Sequence, residues 1–135
     1  MGPHLPRTFP SPTVLIAVGA GGGLGTLARY GVGQVISGVG STLAVNLLGA
    51  FALGLLSGWA PWHQLQVRGQ VVQSFFTTGL LGGFTTYSAL AHELTSMPWA
   101  PAIGYAAVTL LGGVALAVSG IVMGRSIAGR AAPDS

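Results

Sequence analysis

The amino-acid sequence predicts an all-α membrane protein with four transmembrane helices, the third of which is broken. The 135 residues are 50% hydrophobic and only 5% charged, with a mean hydropathy of +0.70, whereas soluble domains carry about 25% charged residues. One long apolar stretch contains Gly79-Leu80-Leu81-Gly82-Gly83-Phe84-Thr85-Thr86-Tyr87-Ser88, which combines glycines with hydroxyl groups. Glycine loosens a helix, and freed backbone groups at membrane depth must find partners in protein or in a polar cavity. We therefore predict a helix break at Gly79–Ser88, at the functional centre.

Four apolar segments are each near the roughly 20 residues that a bilayer span requires. They cover residues 13–36, 42–60, 67–94 and 100–124. Residues 1–12 contain four prolines and are predicted to form a disordered N-terminal tail, residues 13–124 form one four-helix transmembrane domain, and residues 125–135 form a C-terminal tail. Because four helices enclose little interior, we expect any permeation path to need a partner subunit.

The charged residues exclude several classes of function. The chain has five arginines, no lysine and two acidic residues. The arginines are scattered, so no nucleic-acid partner is predicted. The absence of cysteine excludes disulfides and thiolate metal sites. Glu93 lies toward the end of its span, and no acidic residue occupies the middle of any span.

Two short motifs resemble enzyme signatures but lack the context that those signatures need. Gly23-x-Gly25-x-x-Ala28 lacks the strand and acidic residue of a dinucleotide site, and His92-Glu93 is followed by Ser96 where a zinc hydrolase needs a second histidine. No nucleophile and base are paired. The chain is not predicted to be an enzyme.

Three polar residues within the spans each allow more than one interpretation. Burying Arg29 costs roughly 2.5–3.5 kcal/mol on insertion scales, so it lies in a water-filled vestibule, caps carbonyls of a broken helix, or extends to the membrane surface. Asn46 is either a donor lining a pore or an interhelical hydrogen bond. Thr109, one turn after Tyr105, either faces a polar path or bonds its own helix.

The remaining inventory consists of neutral donors, aromatic rings and backbone groups. Such groups suit a small, strongly hydrated ion, whose water shell must be replaced by individual donors. The positive ring edges of Phe84 and Tyr87 could face an anion, while carbonyls freed by the break could bind a cation.

Three motifs, in this order and spacing, resemble the Fluc/CrcB family of fluoride channels. They are Gly22-Gly23-x-Gly25 leading to Arg29-Tyr30, then Thr42-Leu43-x-Val45-Asn46-x-x-Gly49, then Gly82-Gly83-Phe84-Thr85-Thr86-Tyr87-Ser88 with Glu93. The resemblance implies a fluoride-selective channel in the prokaryotic cell membrane that exports cytoplasmic fluoride passively and protects against its toxicity. It also implies an antiparallel, dual-topology dimer with two pores and a structural Na⁺ on the two-fold axis.

The resemblance also assigns roles to individual residues. The implied fluoride pore comprises Thr42, Asn46, Phe84, Tyr87, Ser88, Leu90, Tyr105 and Thr109. Arg29 and Glu93 match vestibule residues, and the backbone carbonyls of Gly82 and Thr85 match the Na⁺ ligands. Leu90 departs from the family, which has a second aromatic ring at that position, and Ala89 replaces a common threonine.

The arginines bear on how two copies would insert. With four spans, Arg7, Arg68, Arg125 and Arg130 lie on one side and Arg29 tends to the other. Dual insertion calls for little bias, so the partner is either a second copy or an oppositely oriented paralogue.

Two rival functions remain open. A small proton-coupled multidrug exporter needs a buried acid as proton relay. A non-transporting assembly protein would use the glycines and Asn46 for packing alone.

Overall fold

The structure, a computed structural model, describes residues 9–60 and 67–131, and over these residues the chain is helical without strands. The elements are α1 (Pro12–Val35), α2 (Val39–Trp59), α3 (Val67–Ser74), a π-helical segment (Phe75–Leu81), α4 (Gly82–Phe84), α5 (Tyr87–Thr95) and α6 (Trp99–Ala131). Most of the predicted N-terminal tail, the predicted connection at residues 61–66 with Trp62, and residues 132–135 lie outside the described residues.

Local signals explain where the first two helices begin. Pro12 occupies the start of α1, and the Ser11 hydroxyl accepts a hydrogen bond from the Val14 amide at 3.4 Å. Gly38 has a φ of +66°, a left-handed conformation that costs glycine little. This single residue completes the turn, so α2 begins at Val39, earlier than the predicted residue 42. At the other end of the chain, α6 continues past Gly124 to Ala131, through residues predicted to be tail.

The helices pack as two pairs with glycines at their contacts. In one pair, α1 lies against the π-helical segment and α4, and a Cβ on Gly25 would collide with the Leu80 carbonyl and approach the Phe84 nitrogen to 2.8 Å. In the other pair, α2 and α6 meet through two reciprocal Gly-x-x-x-Gly motifs, formed by Gly54, Gly58, Gly120 and Gly124. Small residues of this kind let helix backbones approach closely.

The third apolar segment is broken, but at threonines rather than at glycines. Thr85 has φ −75° and ψ 158°, and Thr86 has φ −147° and ψ 117°, so both are extended. The glycines at 79, 82 and 83 remain helical. A Cβ on Gly79 would lie 2.9 Å from the Val18 carbonyl, and one on Gly83 would collide with the Gly22 carbonyl. Gly79 and Gly83 therefore serve the contact of this segment with α1, and the break predicted for Gly79–Ser88 falls at Thr85 and Thr86.

Within residues 9–60 and 67–131, two helices are long and apolar enough to cross a membrane. They are Val39–Trp59, with a mean hydropathy of 1.8, and Trp99–Arg130, with 2.2. Together with the all-helical chain, they fit the predicted all-α membrane protein.

Candidate functional site

Asn46 holds the helix break through both polar ends of its amide. Asn46 Oδ1 accepts a hydrogen bond from the Thr86 amide at 2.8 Å, and Asn46 Nδ2 donates to the Thr86 carbonyl at 3.0 Å. If the Asn46 amide were flipped, its oxygen would face the Thr86 carbonyl and its NH₂ group would face the Thr86 amide. This pairing therefore sets the orientation of Asn46. The second N–H of Nδ2 is not used in this pair. Asn46 is thus an interhelical contact that still has a donor to offer.

Arg29 lies on the other side of the break. Its Nη1 atom donates to the Thr85 carbonyl at 3.2 Å in a half-buried contact. Of the interpretations that the sequence left open, the cap on a carbonyl of the broken helix describes this geometry. The Thr85 amide and hydroxyl both donate to the Leu81 carbonyl, each at 3.0 Å, and close the last turn of α4.

The break also redirects the donors that would normally serve the Gly82 carbonyl. In a continuous helix that carbonyl would accept from the amide of Thr86, which donates to Asn46 instead. The neighbouring Thr85 amide donates to Leu81. The Gly82 carbonyl therefore lacks its usual helical donor and could act as a ligand to a hard cation, whereas the Thr85 carbonyl already accepts from Arg29 and has one further lone pair to offer. Among the described residues, no three His, Cys, Asp or Glu side chains cluster as metal ligands.

A second polar cluster joins α2, α5 and α6 through one carboxylate. Glu93 Oε1 accepts from the Thr42 hydroxyl at 2.6 Å, and Glu93 Oε2 accepts from the Tyr105 hydroxyl at 2.6 Å. We call these three residues the Glu93 cluster. Thr42 precedes Asn46 by one helical turn, so the cluster and the break lie along the same face of α2.

Three open grooves surround the break and bring most of the predicted residues together. Groove A, of about 520 Å³, is lined by Arg29, Thr42, Thr86 and Ser88 among others. Groove B, of about 420 Å³, includes Asn46, Tyr87, Leu90 and Thr109. Groove C, of about 290 Å³, includes Asn46, Thr77, Gly82 and Thr85. Asn46 lines two of the three grooves.

The predicted ring-bearing positions differ in their surroundings. Tyr87 is 81% exposed on the single chain, whereas Leu90 is only 5% exposed. Phe84 is half-buried beside Gly49 of α2 and does not line the three grooves. The single chain therefore does not assemble Phe84, Tyr87 and Leu90 around one groove.

Thr109 and Thr86 show what the sequence left open and what it missed. Thr109 is buried, and its hydroxyl donates to the Tyr105 carbonyl of its own helix at 2.8 Å. Thr86 was not predicted as a site residue, yet it pairs with Asn46, caps α5 by accepting from the Ala89 amide at 3.2 Å, and approaches the Ser88 hydroxyl at 3.2 Å. A threonine directly before the first residue of a helix is a common N-cap, and a helix predicted to restart at Tyr87 could have indicated Thr86.

These features describe a helical membrane protein with a broken helix held by a half-buried amide, and comparison with known proteins identifies its family. The family model described as "CrcB-like protein, Camphor Resistance (CrcB)" matches residues 16–121. The chain therefore belongs to the CrcB family.

Proteins from several prokaryotes are similar over most of their length. One from Methylobacterium nodulans, named fluoride-specific ion channel FluC, is 38% identical, covering 81% of this chain and 89% of the relative. One of the same name from Phenylobacterium zucineum is 39% identical over 86% and 95%. Fluoride-specific ion channel FluC 2 from Methanosarcina barkeri is 34% identical over 88% and 90%. These relatives are named as ion channels, so the prediction that the chain is not an enzyme is confirmed at the level of its family.

Proposed function

We propose that this chain is a fluoride-selective channel that lets cytoplasmic fluoride leave the cell passively. The observation that carries the proposal is the pairing of Asn46 with Thr86. That pairing leaves one N–H of the Asn46 side-chain amide unused, and Asn46 lines both groove B and groove C. An N–H donor favours an anion over a cation. The names of the relatives point to fluoride as that anion.

The Glu93 cluster would supply the next donors along α2. Its Thr42 and Tyr105 hydroxyls donate to the carboxylate in the resting chain. A hydroxyl hydrogen can rotate about its C–O bond. Either hydroxyl can therefore exchange Glu93 for a passing fluoride while the other holds the carboxylate in place. Replacing water by such donors one at a time is how a strongly hydrated ion is desolvated in a pore.

No coupling to protons is needed for this transport. Moving one charge through 100 mV is worth about 2.3 kcal/mol, which drives an anion out of a cell that is negative inside. The one described carboxylate within the helices, that of Glu93, is already bound by two hydroxyls.

The proposed assembly is an antiparallel dimer in the plasma membrane, crossing it four times per subunit, with two pores. The partner is a second copy or an oppositely oriented paralogue. The exposed ring of Tyr87 supports a partner surface at the break, because its side chain is uncovered in one subunit. Na⁺ would be held by the Gly82 and Thr85 carbonyls of both subunits, since each subunit offers two such oxygens and Na⁺ favours a cage of hard oxygen ligands.

The test is ion efflux from liposomes that contain the purified chain. We expect electrogenic fluoride efflux that does not depend on a pH gradient, with no measurable chloride efflux under the same conditions. Flux driven by a pH gradient would indicate a proton-coupled exporter, and a lack of any ion flux would indicate an assembly protein. Either result would contradict the proposed function.

A further inference from the structure

A row of polar side chains on the third apolar segment has no role in the proposed pore, although its last member lines groove C. Gln70 and Ser74 of α3 and Thr77 of the following π-helical segment are spaced by four and three residues, so they lie close to one face of the helical run. Within residues 9–60 and 67–131, the side chains of Gln70 and Ser74 make no hydrogen bond. Thr77 donates to the Gln73 carbonyl at 2.8 Å. We call these three residues the α3 row.

The α3 row leads toward Asn46 from the side opposite to the Glu93 cluster. Thr77 and Asn46 line groove C together, and groove C also includes Leu53, which lies beyond Asn46 toward the end of α2. The Glu93 cluster instead meets α2 at Thr42, before Asn46. Thr77, the last residue of the row, therefore reaches Asn46 from the side of the break opposite to the Glu93 cluster.

Contact with lipid would be unfavourable for this row. Unpaired polar groups in hydrocarbon cost several kcal/mol each. However, α3 packs mainly against α1 and the π-helical segment, and this packing leaves Gln70 exposed on the single chain. The exposed Arg68 at the start of α3 would add a positive potential that attracts anions.

We propose that Gln70, Ser74 and Thr77 line a water-filled path for the ion that connects one membrane surface with Asn46. This inference rests on the proposed channel function, but the access of water to the row does not depend on which anion is carried. The neutral amide and hydroxyl groups would bind a hydrated anion weakly, and weak binding allows it to move on.

The absence of cysteine from the chain gives a direct test. Single variants Gln70→Cys, Ser74→Cys and Val72→Cys are reconstituted in liposomes and exposed to a charged, membrane-impermeant methanethiosulfonate, and modification is followed by mass spectrometry. Val72 is the matched control, because it lies at similar depth on the other side of α3 and its side chain is 48% exposed. We expect the Gln70→Cys and Ser74→Cys variants to react at least about tenfold faster, since thiols ionise and react in water rather than in lipid.

Two results would overturn the path. One is a reaction of the Ser74→Cys variant that is no faster than that of the Val72→Cys variant. The other is spontaneous disulfide formation between two Ser74→Cys subunits, which would make the row a subunit contact. Mass spectrometry measures the modification of each thiol, and so the access of water to the row, without any measurement of fluoride. Fast modification in a protein without fluoride efflux would therefore support the path and contradict the proposed function alone.

Discussion

Asn46 and Thr86 are joined by two hydrogen bonds, of 2.8 and 3.0 Å, that use the amide and the carbonyl of Thr86. An interrupted helix leaves such groups without helical partners, and in a membrane each must be satisfied inside the protein. A single asparagine side chain meets both needs because it carries a donor and an acceptor. The break and the donor that we propose for the ion are consequently one structural feature.

The close approach of α1 to the third segment predicts a large difference between two neighbouring glycines. Gly25→Ala would place a Cβ against the Leu80 carbonyl, whereas the same change at Gly23 meets open space. We expect Gly25→Ala to destabilise the protein by about 1–3 kcal/mol through overpacking. Gly23→Ala should be neutral or stabilising by up to about 1 kcal/mol through helix propensity. Denaturation in detergent micelles measures both, and equal stabilities would contradict this packing.

The N-cap that Thr86 provides to α5 predicts a smaller loss of stability. Thr86→Val keeps the branched shape but removes the oxygen that accepts from the Ala89 amide. We expect the free energy of unfolding to fall by about 1 kcal/mol, as for other N-caps. The Thr86→Ser variant keeps the hydroxyl and should recover this stability. Thr95→Val is the control, since that hydroxyl binds the His92 carbonyl at an exposed helix end. A Thr86→Val protein as stable as the control would show that the cap contributes nothing.

The Glu93 cluster predicts a change in rate without a change in selectivity. Tyr105→Phe removes one hydroxyl that donates to Glu93. We expect fluoride efflux to fall about tenfold, the equivalent of roughly 1.4 kcal/mol and typical of one hydrogen bond. Chloride should remain excluded, because Asn46 is unchanged. Ser119→Ala, which removes an exposed hydroxyl of α6, is the control and should leave efflux as it is. Wild-type efflux in Tyr105→Phe would remove the cluster from the proposed pathway.

The Gly82 and Thr85 carbonyls predict that Na⁺ stabilises the assembled protein. A ligand that binds only the folded state raises stability by about 2.7 kcal/mol at 100 times its Kd. Replacing Na⁺ with N-methylglucamine at constant ionic strength should therefore lower the melting temperature measured in micelles. An identical melting temperature in both salts would contradict a Na⁺ site at the break.

Particular residues show how far the sequence alone could predict this protein. The helical segments and the interruption within residues 79–88 followed from apolar length and from the clustering of glycines and hydroxyls. The exact position of the break did not, because Gly79 and Gly83 are needed for contact with α1, and that contact depends on tertiary packing. The partners of Asn46 and Arg29 are more than 35 residues away, so local spacing could not choose among their alternatives. Tyr87 is exposed in one subunit, and a single sequence contains no direct record of its partner.

In the proposed channel, fluoride exchanges its water for a donor at the break held by Asn46. The most direct test is fluoride efflux from liposomes with Asn46→Asp, which can still accept from the Thr86 amide but presents a negative charge. Two unit charges about 4 Å apart repel by roughly 4 kcal/mol at an effective dielectric constant near 20, so we predict that fluoride efflux falls at least about 100-fold. Ser126→Asp adds the same charge at an exposed position on α6 and should conduct as the wild type does. Fluoride efflux in Asn46→Asp at the rate of the Ser126→Asp control would contradict this role of Asn46.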